Sequence, residues 1–183
     1  MSAAALAPAD DEFAPHYKTY ITLVPPGDII GTLTNQIAET LALYSRVPEE
    51  SAGYRYAAGK WTVRQTLGHI IDSERVFAYR ALRFSRLDPA PLASFDENVF
   101  VANGPSEAAT LAQLREEFEA VRRATICLFR GFRDEDWARS GVASNARITV
   151  RALAHVVAGH ELHHRRILAD RYLPGIASAA ARV

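Results

Sequence analysis

The sequence of 183 residues has only one cysteine, Cys127, so neither an intramolecular disulfide framework nor a cysteine-rich zinc ribbon can form. It has no excess of either charge: lysine plus arginine total 21, and aspartate plus glutamate total 21. A net positive field for nucleic acid or an anionic membrane is therefore missing. No apolar run approaches the ~18 residues of a membrane span. The opening "MSAAALAPADDEFAPHY" has no positive n-region and turns acidic at once, unlike a secretory signal. These absences exclude nucleic-acid and membrane partners and point to a cytoplasmic protein. Strand signals are also scarce, because "SGVASNARITV" carries β-branched residues without sustained alternation.

What is present is ordinary for a globular chain: 49% hydrophobic and 23% charged residues. The length suits one domain with a sizeable core. Residues 1–26 read as an irregular arm packed on the body, 27–173 as the helical body, and 174–183 as a small-residue, mobile tail. Four segments carry helical signals. The first follows Asp28 as N-cap to about Val47, with Ile30, Leu33, Ile37, Leu41 and Tyr44 on one stripe. The second opens at Thr62, with Gln65 completing a capping box, and runs to about Arg86. The third spans Ser106 to Gly131, and the fourth Thr149 to about Tyr172, with Pro174-Gly175 as terminator. The fold class is all-α, a four-helix bundle about 30 Å long with long connections. The connection "DPAPLASFDENVFVANGP" is a candidate lid or rim. Cys127, in the apolar run "ATICLFR", reads as a buried helix residue rather than a nucleophile.

Chemistry concentrates in "GHELHHRR", which begins at Gly159. At 100° per residue, His164 falls about 40° from His160, on the same face as Leu153, Val156, Val157, Ile167 and Leu168. Two imidazoles at i,i+4 on an inward face can reach one ion. The alternative is two core histidines hydrogen-bonded to ordinary acceptors. His163 lies at the rim and His155 on the solvated side. His69, in "QTLGHIIDSER", shares a face with Thr62, Gln65, Thr66, Ser73 and Arg80, the wall of a polar pocket inside a bundle, although an exposed face competes for Gln65 and Arg80. The segment also spells H-E-x-x-H, the zinc-protease signature. That reading is weak: Asp170 is the only candidate ligand downstream, and no sheet flanks the helix.

"YRYAAGKWTVRQTLGHIIDSERVFAYRALRF", joined to "AGHELHHRRIL" about ninety residues on, resembles the DinB/YfiT-like superfamily, which is distinct from the DNA polymerase of the same name. The resemblance runs from about residue 15 to residue 173 and rests on Lys60-Trp61, His69 and the H-x-x-x-H of helix four. It implies a four-helix bundle holding a divalent metal ion, zinc or nickel, on His69, His160 and His164, often in a homodimer. It further implies S-transfer of a low-molecular-weight thiol such as bacillithiol, mycothiol or glutathione to a small electrophile, or thiol-dependent isomerisation. Three neutral imidazoles leave a coordination position for water or a small-molecule substrate. Thiol activation, which needs no protein base, is the leading expectation, with a metal-dependent hydrolase as the alternative. A non-catalytic metal-binding stress-response module, or a plain bundle without metal, is the remaining option. Around the ligands, Asp72, Ser73, Glu161 and Trp61 are candidates for the second shell or pocket. Glu161 lies at the helix margin, and Trp61 reads first as a core anchor. Glu74 is expected in a surface ion pair with Arg75 or Arg80. Tyr54 and Tyr56 could reach the pocket, and Arg165-Arg166 lie on the outer face.

Overall fold

Side-chain caps set where the long helices begin. In the computed structural model, which describes residues 6–181, a 3-10 turn (Pro15–Tyr17) leads into the short α1 (Lys18–Ile21). The helix α2 (Ile29–Tyr44) starts on Asp28, whose carboxylate accepts from the N–H groups of Ile30 and Gly31. Thr62 and Gln65 form a reciprocal capping box at α3 (Val63–Ser85). A seven-residue α4 (Glu97–Asn103) interrupts the next connection. The helix α5 (Leu111–Arg130) starts on a second capping box, Thr110 with Gln113. Ser106, the expected start, instead sits in a 3-10 turn, because the Thr110 box is the stronger cap. After α6 (Asp134–Ala138) comes a hairpin, and then Thr149 caps α7 (Val150–Ile167).

The fold is predominantly helical, as expected, but the absence of strands was not borne out. β1 (Ser140–Ala143) pairs antiparallel with β2 (Ala146–Thr149). Their turn places Ser144 at φ 52° and Asn145 at φ 61°, the two left-handed residues that a tight hairpin turn requires. Four-residue strands are too short to show alternation. The chain end also differs from expectation. A π turn (Leu168–Tyr172) runs directly into α8 (Leu173–Ala180), with Pro174 in its first turn, where the missing N–H costs no hydrogen bond. Residues 174–180 are thus helical, and Ile176 is buried. The arm holds the Pro15–Tyr17 turn and α1 against α7. Residues 1–5 of the expected arm and 182–183 of the expected tail lie outside the described residues.

α3 packs against α5 and α7, and α2 packs against the same two helices, so the order around the bundle is α2, α5, α3, α7. Helices consecutive in sequence thus stand diagonally in two cases, which the long connections allow. The apolar core falls into two clusters. One, around Leu33, Phe84, Phe129 and Leu153, includes the arm and the hairpin. The other, around Tyr44, Leu67, Phe118 and Tyr172, fills the opposite end.

Deep in the bundle lies a fully buried ion network. Arg122 of α5 makes a bidentate pair with Glu74 of α3, both bonds 2.8 Å, and a second ion pair with Glu161 of α7. Its Nη1 donates to Gln36 Oε1 (3.1 Å) and Leu33 O (3.4 Å) of α2. Thr40 of α2 donates to Glu161, and Gln36 donates to Ala158 O of α7 (3.1 Å). One guanidinium therefore touches all four long helices. Glu74, expected at the surface, is 2% exposed, and Glu161, expected at the margin, is 0% exposed. Cys127, expected inside, is exposed on α5.

Removing Arg122 strands two buried carboxylates. Arg122→Met is expected to cost about 3–5 kcal/mol of unfolding free energy by urea denaturation at neutral pH. A loss below about 1 kcal/mol would mean that the network does not hold the bundle together.

Candidate metal centre

The adjacency of α3 and α7 brings His69, His160 and His164 together. Nε2 of His160 lies 3.0 Å from Nε2 of His69 and 3.1 Å from Nε2 of His164, and ligand atoms of all three lie within 4.8 Å of one another. Three nitrogens held tetrahedrally at zinc distances stand about 3.3 Å apart, so two edges of the set are close to what an ion needs. All three residues are buried. Burial, followed by the neighbouring imidazoles, holds His160 and His164 well below the ordinary histidine value and pushes His69 down to about 4. The rings are therefore neutral. A nitrogen such as His160 Nε2 offers either one proton or one lone pair, so it cannot satisfy two like neighbours by hydrogen bonding alone. Three lone pairs turned on one point suit a divalent cation, and the donor set fits one.

Aromatic rings brace the cluster. Trp61 packs on His69 at 4.6 Å between centroids, Phe77 lies 6.0 Å from His160, and Tyr20 stacks edge-on against His160 (5.3 Å) and His163 (5.4 Å). Gly159 makes the Tyr20 contact possible, since a Cβ there would collide with the Tyr20 carbonyl. The Trp61, Phe77 and Tyr20 rings, with the three histidines, line a cavity of about 390 Å³. A neighbouring cavity of about 280 Å³ shares His164, Trp61 and Glu97.

A family model described as the DinB superfamily matches residues 32–168, most of the chain and all three histidines. The chain belongs to the DinB superfamily. A curated relative from Oceanobacillus iheyensis, named "Putative metal-dependent hydrolase", is 26% identical over 137 residues, 74% of this chain and 76% of the relative. Among solved structures, the fold is similar to YfiT from Bacillus subtilis, described as "a probable metal-dependent hydrolase with an unusual four-helix bundle topology". That match has a TM-score of 0.71 at 16% identity and covers 95% of this chain and 93% of that one. A DinB-like protein of Bacillus subtilis, YjoA, matches with a TM-score of 0.60 at 17% identity, over 81% of this chain and 91% of that one.

Within this DinB site the other candidates separate. Ser73 Oγ lies 3.5 Å from His69 Nδ1, at the outer limit of a hydrogen bond. Trp61 lines the pocket rather than serving only as a core anchor. Glu161 points away from the cluster into the ion network. Burial holds its carboxyl above the usual carboxylate range, against the opposing pull of Arg122 and Thr40. It therefore does not occupy the position of a zinc-protease general base. Asp72 turns outward to Arg75 at 3.4 Å and does not brace His69. His155, expected in solvent, is buried with Nδ1 3.0 Å from Arg151 O. His163 is half-buried at the cavity wall rather than simply solvated. Tyr56 lines the smaller cavity, whereas Tyr54 packs against Tyr172. Arg165 pairs with exposed Glu39, as an outer-face residue should. Tyr20, Phe77, Phe95, Glu97 and Ser144 complete the cavity wall without having been singled out from sequence. The candidate lid supplies two of them, Phe95 and Glu97.

Two outcomes follow. Unfolded histidines bind protons at about 6.5, while these three stay neutral in the native chain. The stability of chelator-treated protein should therefore be full above about pH 6.5 and fall as pH drops from there toward 4, read as the urea midpoint; a flat profile would contradict neutral, buried rings. Gly159→Ala should push α1 off α7 and cost roughly 1–3 kcal/mol by the same measurement.

Proposed function

We propose that His69, His160 and His164 hold a divalent metal ion and that the protein is a metal-dependent hydrolase of small molecules. The observation that carries this reading is the convergence of three neutral imidazoles beside an open cavity. The curated relative's name points the same way. When bound, such an ion supplies Lewis acidity and acidifies a water or thiol brought to its open side. The chain's own residues do the rest. Tyr20, whose hydroxyl is pushed above its usual value by burial and by Glu97, stays protonated and donates a hydrogen bond to substrate oxygen. His163, held below its ordinary value by burial, is neutral and able to accept a proton at the cavity wall. Trp61 and Phe77 give the cavity an apolar wall beside the cluster.

Transfer of a thiol to an electrophile is the second reading. It is favoured by Glu161, the carboxylate nearest the histidines in sequence, being turned into the core, since a metal-acidified thiol needs no protein base. Zinc and nickel are the ions of choice for an all-imidazole set.

Protein purified without a histidine tag should contain close to one divalent ion per chain by elemental analysis and lose it in His160→Ala. A panel of esters, amides and lactones should show metal-dependent hydrolysis that the same variant reduces at least a hundredfold. Turnover of a chlorinated electrophile only in the presence of a thiol would replace hydrolysis with transfer. A stably bound ion with neither activity would leave a non-catalytic binding module.

A further inference from the structure

Arg80 of α3 is 2% exposed and lines the same cavity as the three histidines, yet no carboxylate among the described residues pairs with it. Its bonds go to neutral oxygens. Nη2 donates to Ala93 O and to Ser144 Oγ, each at 3.0 Å, and Nη1 reaches the Tyr17 hydroxyl only at 3.5 Å. Phe77 and Phe95 flank it, with Cζ at 6.0 Å and 5.9 Å from their ring centroids. A buried guanidinium without an anion is costly and uncommon. The molecule's other deeply buried guanidinium, Arg122, has two carboxylates. Arg80 has an open cavity instead.

The spacing gives that cavity a direction. The Phe77 ring stands 6.0 Å from the His160 ring and 6.0 Å from Arg80 Cζ, so the histidine cluster and the guanidinium neighbour the same aromatic ring. Glu97 also faces the cavity, but from its exposed mouth, and it makes no ion pair with Arg80. His16 and His163 stand at the wall without adding a carboxylate. We propose that Arg80 is the receptor for a substrate carboxylate, so that the enzyme acts on small organic acids, held by the anion at Arg80 with the reacting group at the histidine cluster in the same cavity. This rests on the reading of the cluster as the reaction centre. Both Nη2 hydrogens are taken by Ala93 and Ser144, and Nη1, whose Tyr17 contact is at the outer limit of a hydrogen bond, is the donor left for a carboxylate oxygen. A charge-assisted bond of this kind is strong enough to select acids over neutral analogues. The two Nη2 bonds tie the candidate lid to the hairpin turn and so hold the guanidinium in place.

Benzoate and its neutral isostere benzamide are suitable probes. Calorimetric titration into the protein as purified, and into the same protein after chelator treatment, should show benzoate binding at similar affinity in both. Benzamide should bind at least tenfold more weakly. Arg80→Lys, which keeps the charge but cannot keep both anchoring bonds and a placed donor for the ligand, should weaken benzoate about tenfold with little effect on benzamide, and Arg80→Met should abolish the preference. If Arg80→Met does not fold, the lysine variant and the acid–amide comparison on the unmodified chain decide alone. Equal binding of acid and amide, unchanged benzoate affinity in Arg80→Lys, or benzoate binding that disappears on chelation would overturn the proposal; the last would put the carboxylate on the ion. Failure of the metal reading shows separately, as protein purified without an ion.

Discussion

Arg122 is the constraint on which the rest of the bundle depends. A guanidinium has a fixed planar fork, and here its edges are committed at once to α3, α7 and α2 from a seat on α5. Apolar side chains tolerate small slides and rotations of one helix past another, whereas a bidentate pair at 2.8 Å with no water to take its place does not. The network is not a favourable arrangement in isolation, since one guanidinium cannot neutralise two carboxylates, and burial, with a smaller push from Glu74, raises the Glu161 carboxyl. What it supplies is a unique register for helices whose remaining contacts are largely apolar.

That register is what the histidine cluster needs. Glu74 follows Ser73, whose hydroxyl stands 3.5 Å from His69 Nδ1, and Glu161 follows His160. Fixing both carboxylates on Arg122 fixes the rotation of α3 and α7, and with it the arc of each helix that presents its imidazoles to the other. In this way the glutamate of the H-E-x-x-H pattern has a role unlike the protease one. It is a core residue that orients its neighbour through the backbone, and the same four letters carry a different meaning because the partner helix differs.

Much of this was legible in the sequence, for identifiable reasons. The long helices announce themselves through apolar stripes and through Asp28, Thr62–Gln65 and Thr149, because caps are local chemistry. The inward pair His160 and His164 follows from helical periodicity, and His69 from its place on a polar pocket face. Illegible were the features set by distant partners. Glu74 looks like a surface charge and Glu161 like a margin or pocket residue until Arg122 arrives from another helix, and His155 looks solvated although the fold buries it. Arg80 lies on the His69 face by simple counting, but only Ser144 and the 88–105 segment explain why it is inside. The hairpin depends on a two-residue turn that composition barely marks. Cys127 fooled its apolar context because α5 turns that position outward.

The two ring nitrogens of the cluster that approach most closely, Nε2 of His69 and Nε2 of His160, belong to residues 91 positions apart in the chain. Most of the chain has to be synthesised before the three nitrogens can meet. An ion that bound would then close a very long covalent loop, tethering two helices that are otherwise joined only through the connections at the bundle's ends.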